Sequence, residues 1–419
     1  MNRWLVVLAG TLLQVCLGSV YAWSYFQKPL VENGGWRHTE VAWAFSLAIG
    51  CLGVAAAAGG MLLPKLGPRR LAMIGSLLYG AGYLLAAAAL RVRSLPLLWL
   101  GHGVVGGIGL GLGYVTPIAT VAKWFPDRKG LATGMVVMGF GFGALVMSKI
   151  IAPVLMARGT LSETFVGIGW MVGGIGLGAS VFLRNPPDAT VTVVERETAV
   201  SQLVSPQFLL LWLVFFCNIT AGIAIIGFQS PLFQDLWNKT HPQTATATVA
   251  AHGATLIAVS SVFNGIGRLF WGGLSDRLGQ RTTFRWLLGT QVVAFLVLMN
   301  TSNPWWFGAL VCYVLLCYGG GFGVMPSFVL NEFGPRLMPV LYGAILTAWS
   351  AGGLLGPQVV AILKDHQGAR AGAHAFALGA GLVAGGFLVS LLVRPRAKTP
   401  QRDGRNFLSP REQQRTVST

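Results

Sequence analysis

Gly272-Gly-Leu-Ser-Asp276-Arg277-Leu-Gly279-Gln-Arg281 lies between two apolar runs, and Gly60-Met-Leu-Leu-Pro-Lys-Leu-Gly-Pro-Arg69 stands in the same setting 212 residues earlier (272 − 60). Met once, such a stretch is only a basic turn. Met twice, in step with two further echoes, it marks a duplicated unit. Phe26-Gln-Lys-Pro-Leu30 returns as Phe228-Gln-Ser-Pro-Leu232, and Phe125-Pro-Asp-Arg128 returns as Phe333-Gly-Pro-Arg336, in the same chain order. Two similar membrane halves can rock about a site held between them, the architecture on which secondary transporters are built.

Composition sets the environment. Of 419 residues, 54% are hydrophobic and 10% charged, against about a quarter charged in an ordinary soluble domain. So few charges cannot solvate the surface of a water-soluble protein of this length. Glycine, at 57 residues, lies inside apolar runs, where small side chains let membrane helices approach closely. The net charge of +17 does not point to nucleic acid, because the basic residues are spread through the gaps between runs and not gathered on one element. Cys16, Cys51, Cys217, Cys312 and Cys317 fall within apolar runs without metal-ligand spacing and read as small buried hydrophobes. No metal site, cofactor motif or catalytic constellation stands out, so the chain does not read as an enzyme.

A crossing needs about 20 mostly apolar residues, and twelve segments qualify: 4–26, 41–63, 71–90, 95–122, 130–156, 163–183, 208–228, 248–272, 284–300, 305–330, 341–363 and 371–393. The first is too long for a signal peptide and ends in the Phe-Gln-x-Pro-Leu element that recurs at the seventh. The predicted architecture is an all-α membrane protein of two pseudo-symmetric six-helix bundles, residues 1–183 and 208–393, with a polar linker at 184–207 and a basic tail at 394–419. Lys and Arg number thirteen on one face, with seven more in the tail, against eight on the other. The richer face is expected to be cytoplasmic. Both termini and the linker then lie inside a cell (inner) membrane, with the tail available to anionic lipid.

In the repeated loop, Asp276, Arg277 and Arg281 are placed to meet charges or a helix end on the neighbouring bundle and hold the cytoplasmic side closed. Its pattern, Gly-x-Leu-x-Asp-Arg-x-Gly-x-Arg, resembles the signature loop of the major facilitator superfamily, and the resemblance covers residues 1–393. It implies a twelve-helix carrier working by alternating access. The first copy departs from the pattern, with Pro64 where the acidic residue is expected. Trp124-Phe-Pro-Asp-Arg128-Lys129-Gly-Leu-Ala-Thr-Gly134 leads into the fifth run. It is similar to an element of the monocarboxylate transporter family and of the related oxalate/formate antiporter family. Its basic pair, Arg128 and Lys129, is expected to face the cytoplasm.

Arg268 carries the functional reading. It sits within the eighth run, in Val262-Phe-Asn264-Gly-Ile-Gly-Arg268-Leu-Phe-Trp-Gly. A guanidinium at the centre of a membrane helix costs about 2.5–3.5 kcal/mol on insertion scales and cannot shed its proton. It needs an anion, and all 13 Asp and Glu lie in loops, the tail or run ends, Glu332 coming nearest. The expected partner is a transported carboxylate, held by the fork of N–H donors. The competing reading is an Arg reaching for the cytoplasmic edge, since Asp276 follows eight residues on. Asn264, one turn earlier, shares the face of Arg268. Monocarboxylate transporters of animals carry there an Asp that takes part in proton coupling, and an amide cannot carry a proton. That family's first-run lysine is also missing, its place falling near Tyr25. In the oxalate/formate family the corresponding Arg works with a Lys in the eleventh run. Here Tyr342-Gly-Ala-Ile-Leu-Thr-Ala-Trp349 matches the segment, and Trp349 takes the Lys position. One deep cation and an aromatic wall suit a monoanion with a short apolar body.

Tyr114 follows Gly109-x-Gly111-x-Gly113 in the fourth run, and Tyr318 precedes Gly319-Gly-Gly-x-Gly323 in the tenth. Each phenol is placed either to donate to a carboxylate or to pack, and Phe322 is expected against the substrate's apolar body with Trp349. Lys149 is expected to snorkel at the outer interface. Asn218 and Thr220 are expected to bond neighbouring helices; His102 is either a group that titrates near neutral pH or, the reading preferred, a hydrogen-bonded structural histidine. The expected activity is proton–monocarboxylate symport of the lactate or pyruvate type. One co-transported proton removes an opposing potential of about 2.3 kcal/mol per charge per 100 mV, although no run supplies an acidic proton carrier. Carboxylate exchange and a membrane carboxylate sensor are the alternatives.

Overall fold

A computed structural model of the chain describes residues 2–125, 129–187, 201–334 and 337–393. Arg128, most of the linker and the tail lie outside these residues, as does the Lys129 side chain. Eleven long helices account for the described membrane region. They are α1 Arg3–Gly34, α2 His38–Arg91, α3 Leu95–Trp124, α4 Ala132–Met156, α5 Leu161–Ser180, α6 Pro206–Thr240, α7 Thr246–Leu278, α8 Gln280–Asn300, α9 Pro304–Phe333, α10 Val340–Gln367 and α11 Ala371–Leu392. Ten of these, all but the glycine-rich α5, are long and apolar enough by composition to cross a bilayer.

α2 holds the second and third predicted crossings in one 54-residue helix. Drawn straight it would reach about 80 Å, far beyond a hydrocarbon core of about 30 Å. It breaks instead at Gly67, where φ is 74° and ψ 160°. Gly279, the equivalent residue of the second copy, has φ 80° and ψ 147° between α7 and α8. Only glycine takes this conformation without strain. The repeated stretch is therefore helix almost throughout, with a one-residue turn in place of the expected loop. Counting the two arms of α2 separately, the eleven helices make twelve crossing segments in two six-membered bundles.

The first bundle packs α2 against α3 and α5, and α1 against α4; the second packs α7 against α9, α6 against α10, and α8 against α11. The bundles meet along α2 with α10, α4 with α7, and α1 with α6. Glycines permit these seams. A Cβ added to Gly141 of α4 would stand 2.7 Å from Cα of Gly265, and one on Gly353 of α10 would stand 2.2 Å from Ile49.

Some of the polar ties across the seam lie at one end. Asp365 of α10 accepts hydrogen bonds from the Thr39 hydroxyl at 2.7 Å and from the backbone N–H groups of His38 and Thr39 at 2.9 and 3.0 Å. These are amides that the N-terminus of α2 would otherwise leave unpaired. Lys149 donates to Thr255 at 2.5 Å, so its ammonium is exposed, as expected, and also crosses between bundles. At the opposite end, Arg281 pairs with Glu332, and Gln207 donates to the same carboxylate at 3.1 Å. That cluster ties α8, α9 and α6 to one another within the second bundle. Asp276 and Arg277 are exposed, and neither makes an ion pair among the described residues.

Candidate functional site

Arg268 is placed by glycine. Gly319 and Gly323 of α9 are one turn apart, and a Cβ on them would stand 2.0 Å from the Asn264 carbonyl oxygen and 2.2 Å from that of Arg268. The bare face of α9 thus lets α7 approach to backbone contact, and both side chains turn toward the seam with α4. There Arg268 Nη1 donates to the Val137 carbonyl at 3.0 Å, a bond between bundles. The residue is 3% exposed, which excludes a side chain stretched to the water edge.

Its remaining nitrogens decide what it can do. Nε and Nη2 are buried and have no hydrogen-bond partner. These two share the side-on edge of the guanidinium, the edge that holds a carboxylate bidentately. The rings of Phe322 and Phe140 lie 5.1 and 5.9 Å from the guanidinium carbon. Two cation–π contacts contribute about 2 kcal/mol each at best, and desolvating the ion costs several kcal/mol. The free edge can take a further charge-assisted hydrogen bond, which contributes about 1.5–3 kcal/mol.

The predicted residues converge here. Trp349 packs edge-on to Phe322 at 4.8 Å and to Tyr114 at 5.3 Å, and Tyr318 lies 5.4 Å from Phe322. Tyr114 Oη lies toward the Arg268 guanidinium and Trp349 Nε1 toward the Tyr318 hydroxyl, neither in a closely made hydrogen bond, and Asn264 Oδ1 is buried without a partner. Trp349, expected as an apolar wall, therefore also brings a donor to the site. Tyr318 is engaged: its hydroxyl meets that of Tyr21 at 2.6 Å, joining the two bundles. Beside Asn264 lies a cavity of about 10 Å³, lined also by Tyr21, Gln229, Ser260 and Ser261. It has room for about one water, so the site is closed around Arg268. Asp276, Arg277 and Arg281 lie at the end of the bundle and take no part in this cluster.

Sequence reasoning missed Tyr21 and Phe140. Tyr21 lies where α1 tightens into a 3₁₀ turn at Ser19–Ala22, and its ring stands 5.0 Å from Phe140. The run Gly139-Phe140-Gly141-Phe142-Gly143 carried the available signal, since an aromatic between close-packing glycines must itself fill the seam. Three other expectations change. Thr220 bonds the Phe216 carbonyl of its own helix, and neither amide atom of Asn218 has a partner. Both side chains instead fill space that glycines of neighbouring helices leave, Asn218 against Gly321 and Thr220 against Gly352. His102, expected to be hydrogen-bonded, has no partner at either ring nitrogen because aromatic rings surround it.

Two helical bundles closing on a buried, unpaired cation define a membrane carrier with its site at the bundle interface. Residues 5–357 match the Major Facilitator Superfamily, and the chain belongs to that family. It is 26% identical to the oxalate:formate antiporter of Oxalobacter formigenes, over 88% of this chain and 86% of that protein. It is 28% identical to monocarboxylate transporter 11 of Mus musculus, over 78% and 73% of the two chains. A bacterial homologue of the human lysosomal transporter Spinster shares the fold, with a TM-score of 0.66 at 15% identity over 93% of this chain and 96% of that one.

Proposed function

We propose that this protein carries small monocarboxylates of the lactate or pyruvate type by alternating access, coupled to a proton, with the carboxylate on Arg268. The observation that carries the reading is the buried Nε–Nη2 edge of Arg268, unpaired and walled by aromatic rings. Tyr114, Trp349 and Asn264 add polar atoms for the carboxylate and its neighbouring oxygen, while Phe322 and the indole face take the short apolar body. Similarity to carriers named for oxalate, formate and monocarboxylates supports a carboxylate as cargo. The absence of a second cation beside Arg268, with Trp349 in that position, favours a monoanion over a dicarboxylate. In this proposal the bundles at 1–183 and 208–393 are the moving bodies, and the end carrying Asp365 faces outward across a cell (inner) membrane.

The test is uptake of labelled L-lactate into proteoliposomes, wild type against Arg268→Ala, with and without an inward proton gradient. The expected result is gradient-stimulated uptake in the wild type and none in the variant. Uptake insensitive to Arg268→Ala would remove this residue from the site. Obligatory exchange without a proton effect would make the protein an antiporter, and saturable binding without uptake would make it a sensor.

A further inference from the structure

Resting on the symport reading, we propose that His102 is the group that binds the coupled proton. All 13 Asp and Glu lie outside the interior of the crossings, so a proton held by the protein at mid-depth needs another base. Of the six histidines, His102 is the one buried among the helices, at 1% exposure. It sits in a π-helical segment of α3, Trp99–Gly106, a winding frequent at functional sites. Neither ring nitrogen has a partner. A neutral imidazole carries one N–H and one bare nitrogen, and burying both unsatisfied is a penalty that native structures seldom accept. Such a group is suited to a second state in which water reaches it.

The neighbours show how water would arrive. The imidazole stacks on Trp23 at 4.6 Å, Trp23 stacks on Phe45 at 6.3 Å, and Phe45 packs on Gly227 of the second bundle, where an added Cβ would stand 3.4 Å from the ring. Two rings thus separate His102 from the seam between bundles. This lies toward the end where Asp365 caps α2, so parting the bundles there uncovers Phe45 and then Trp23. On its other side, α2 presents Tyr83, whose ring lies 5.0 Å away. The Tyr83 hydroxyl reaches that of Tyr79 at 3.4 Å, and Tyr79 reaches Ser19 at 2.8 Å. Ser19 is two residues before Tyr21 in the site. The groups facing His102 are thus the ring of Tyr83 from α2 and the indole of Trp23 from α1, with Tyr79 and Phe165 beyond Tyr83. Trp99, in the same π-helical segment, donates to the Glu40 carbonyl at 2.8 Å, and the Glu40 side chain pairs with Arg37 at the entry of α2. The bare ring nitrogen takes a proton from hydronium when that end opens and returns it to water later in the cycle. No bond of the substrate changes.

Proteoliposomes carrying His102→Gln separate the outcomes. A one-unit inward pH gradient drives about tenfold accumulation in a 1:1 symporter. The expected variant accumulates no lactate above equilibrium. Its counterflow, which needs no net proton movement, is reduced no more than about threefold. That counterflow also loses the pH dependence it has in the wild type. Accumulation in His102→Gln equal to wild type, or an unaltered pH profile, overturns the proposal while leaving the carrier reading intact. A wild type with no gradient-driven accumulation sinks the symport reading itself, and this proposal with it. If His102→Gln does not fold, His102→Asn carries the same comparison. If neither folds, absence of proton uptake by the wild type on lactate addition, read with an indicator dye, overturns the proposal.

Discussion

In the proposed site, Arg268 and Trp349 divide the work of choosing a substrate. Arg268→Lys keeps the charge but replaces a planar two-donor edge with a point charge. We expect KM for lactate to rise by about tenfold, equivalent to about 1.4 kcal/mol, measured as initial uptake in proteoliposomes. Trp349→Lys adds a second deep cation and should let oxalate compete with labelled lactate, a competition the proposal does not expect of the wild type; a variant still indifferent to oxalate would break the proposed link between cation number and cargo. Arg268 was legible from sequence because a charge inside an apolar run demands a reason. Tyr21 was not, because a tyrosine in a membrane helix is ordinary until Tyr318, 297 residues away in sequence, is found at its hydroxyl.

Among elements, the α7–α9 pair matters most, since its backbone contact aims Asn264 and Arg268. Gly323→Ala puts a methyl 2.2 Å from the Arg268 carbonyl and forces the helices apart. Overpacking of this kind costs about 1–3 kcal/mol. A lower melting temperature in detergent and loss of lactate-induced stabilisation are expected; unchanged stabilisation would mean that the close approach does not place the site. The glycines were plain in the sequence as permission for contact, but not which helix each would meet. The turns show the complementary case: Gly67 and Gly279 could be paired from the repeat, yet the near-continuous helix around them emerged only from the backbone.

For the whole molecule, the conformer is a balance between two closures, and Asp365 weights one of them. Asp365→Ala removes three hydrogen bonds that join α10 to the start of α2. With Ser46→Cys placed just inside that end, in a background without the native cysteines, a membrane-impermeant maleimide should label faster in the Asp365→Ala variant; an equal rate would show that this cap does not hold the bundles together. By itself the sequence determined the twelve crossings and their duplication, and it singled out Arg268 as a charge inside an apolar run. Hydrophobic length, internal repetition and the cost of a buried charge are properties of the chain that need no partner to be read. Only the tertiary structure decided which edge of the guanidinium is free, which rings enclose it, that Asp276 is unlatched while Asp365 is engaged, and that His102 is left without a hydrogen bond. Those facts depend on contacts between helices far apart in sequence, and helix packing fixes them within a few tenths of an ångström that no local pattern encodes.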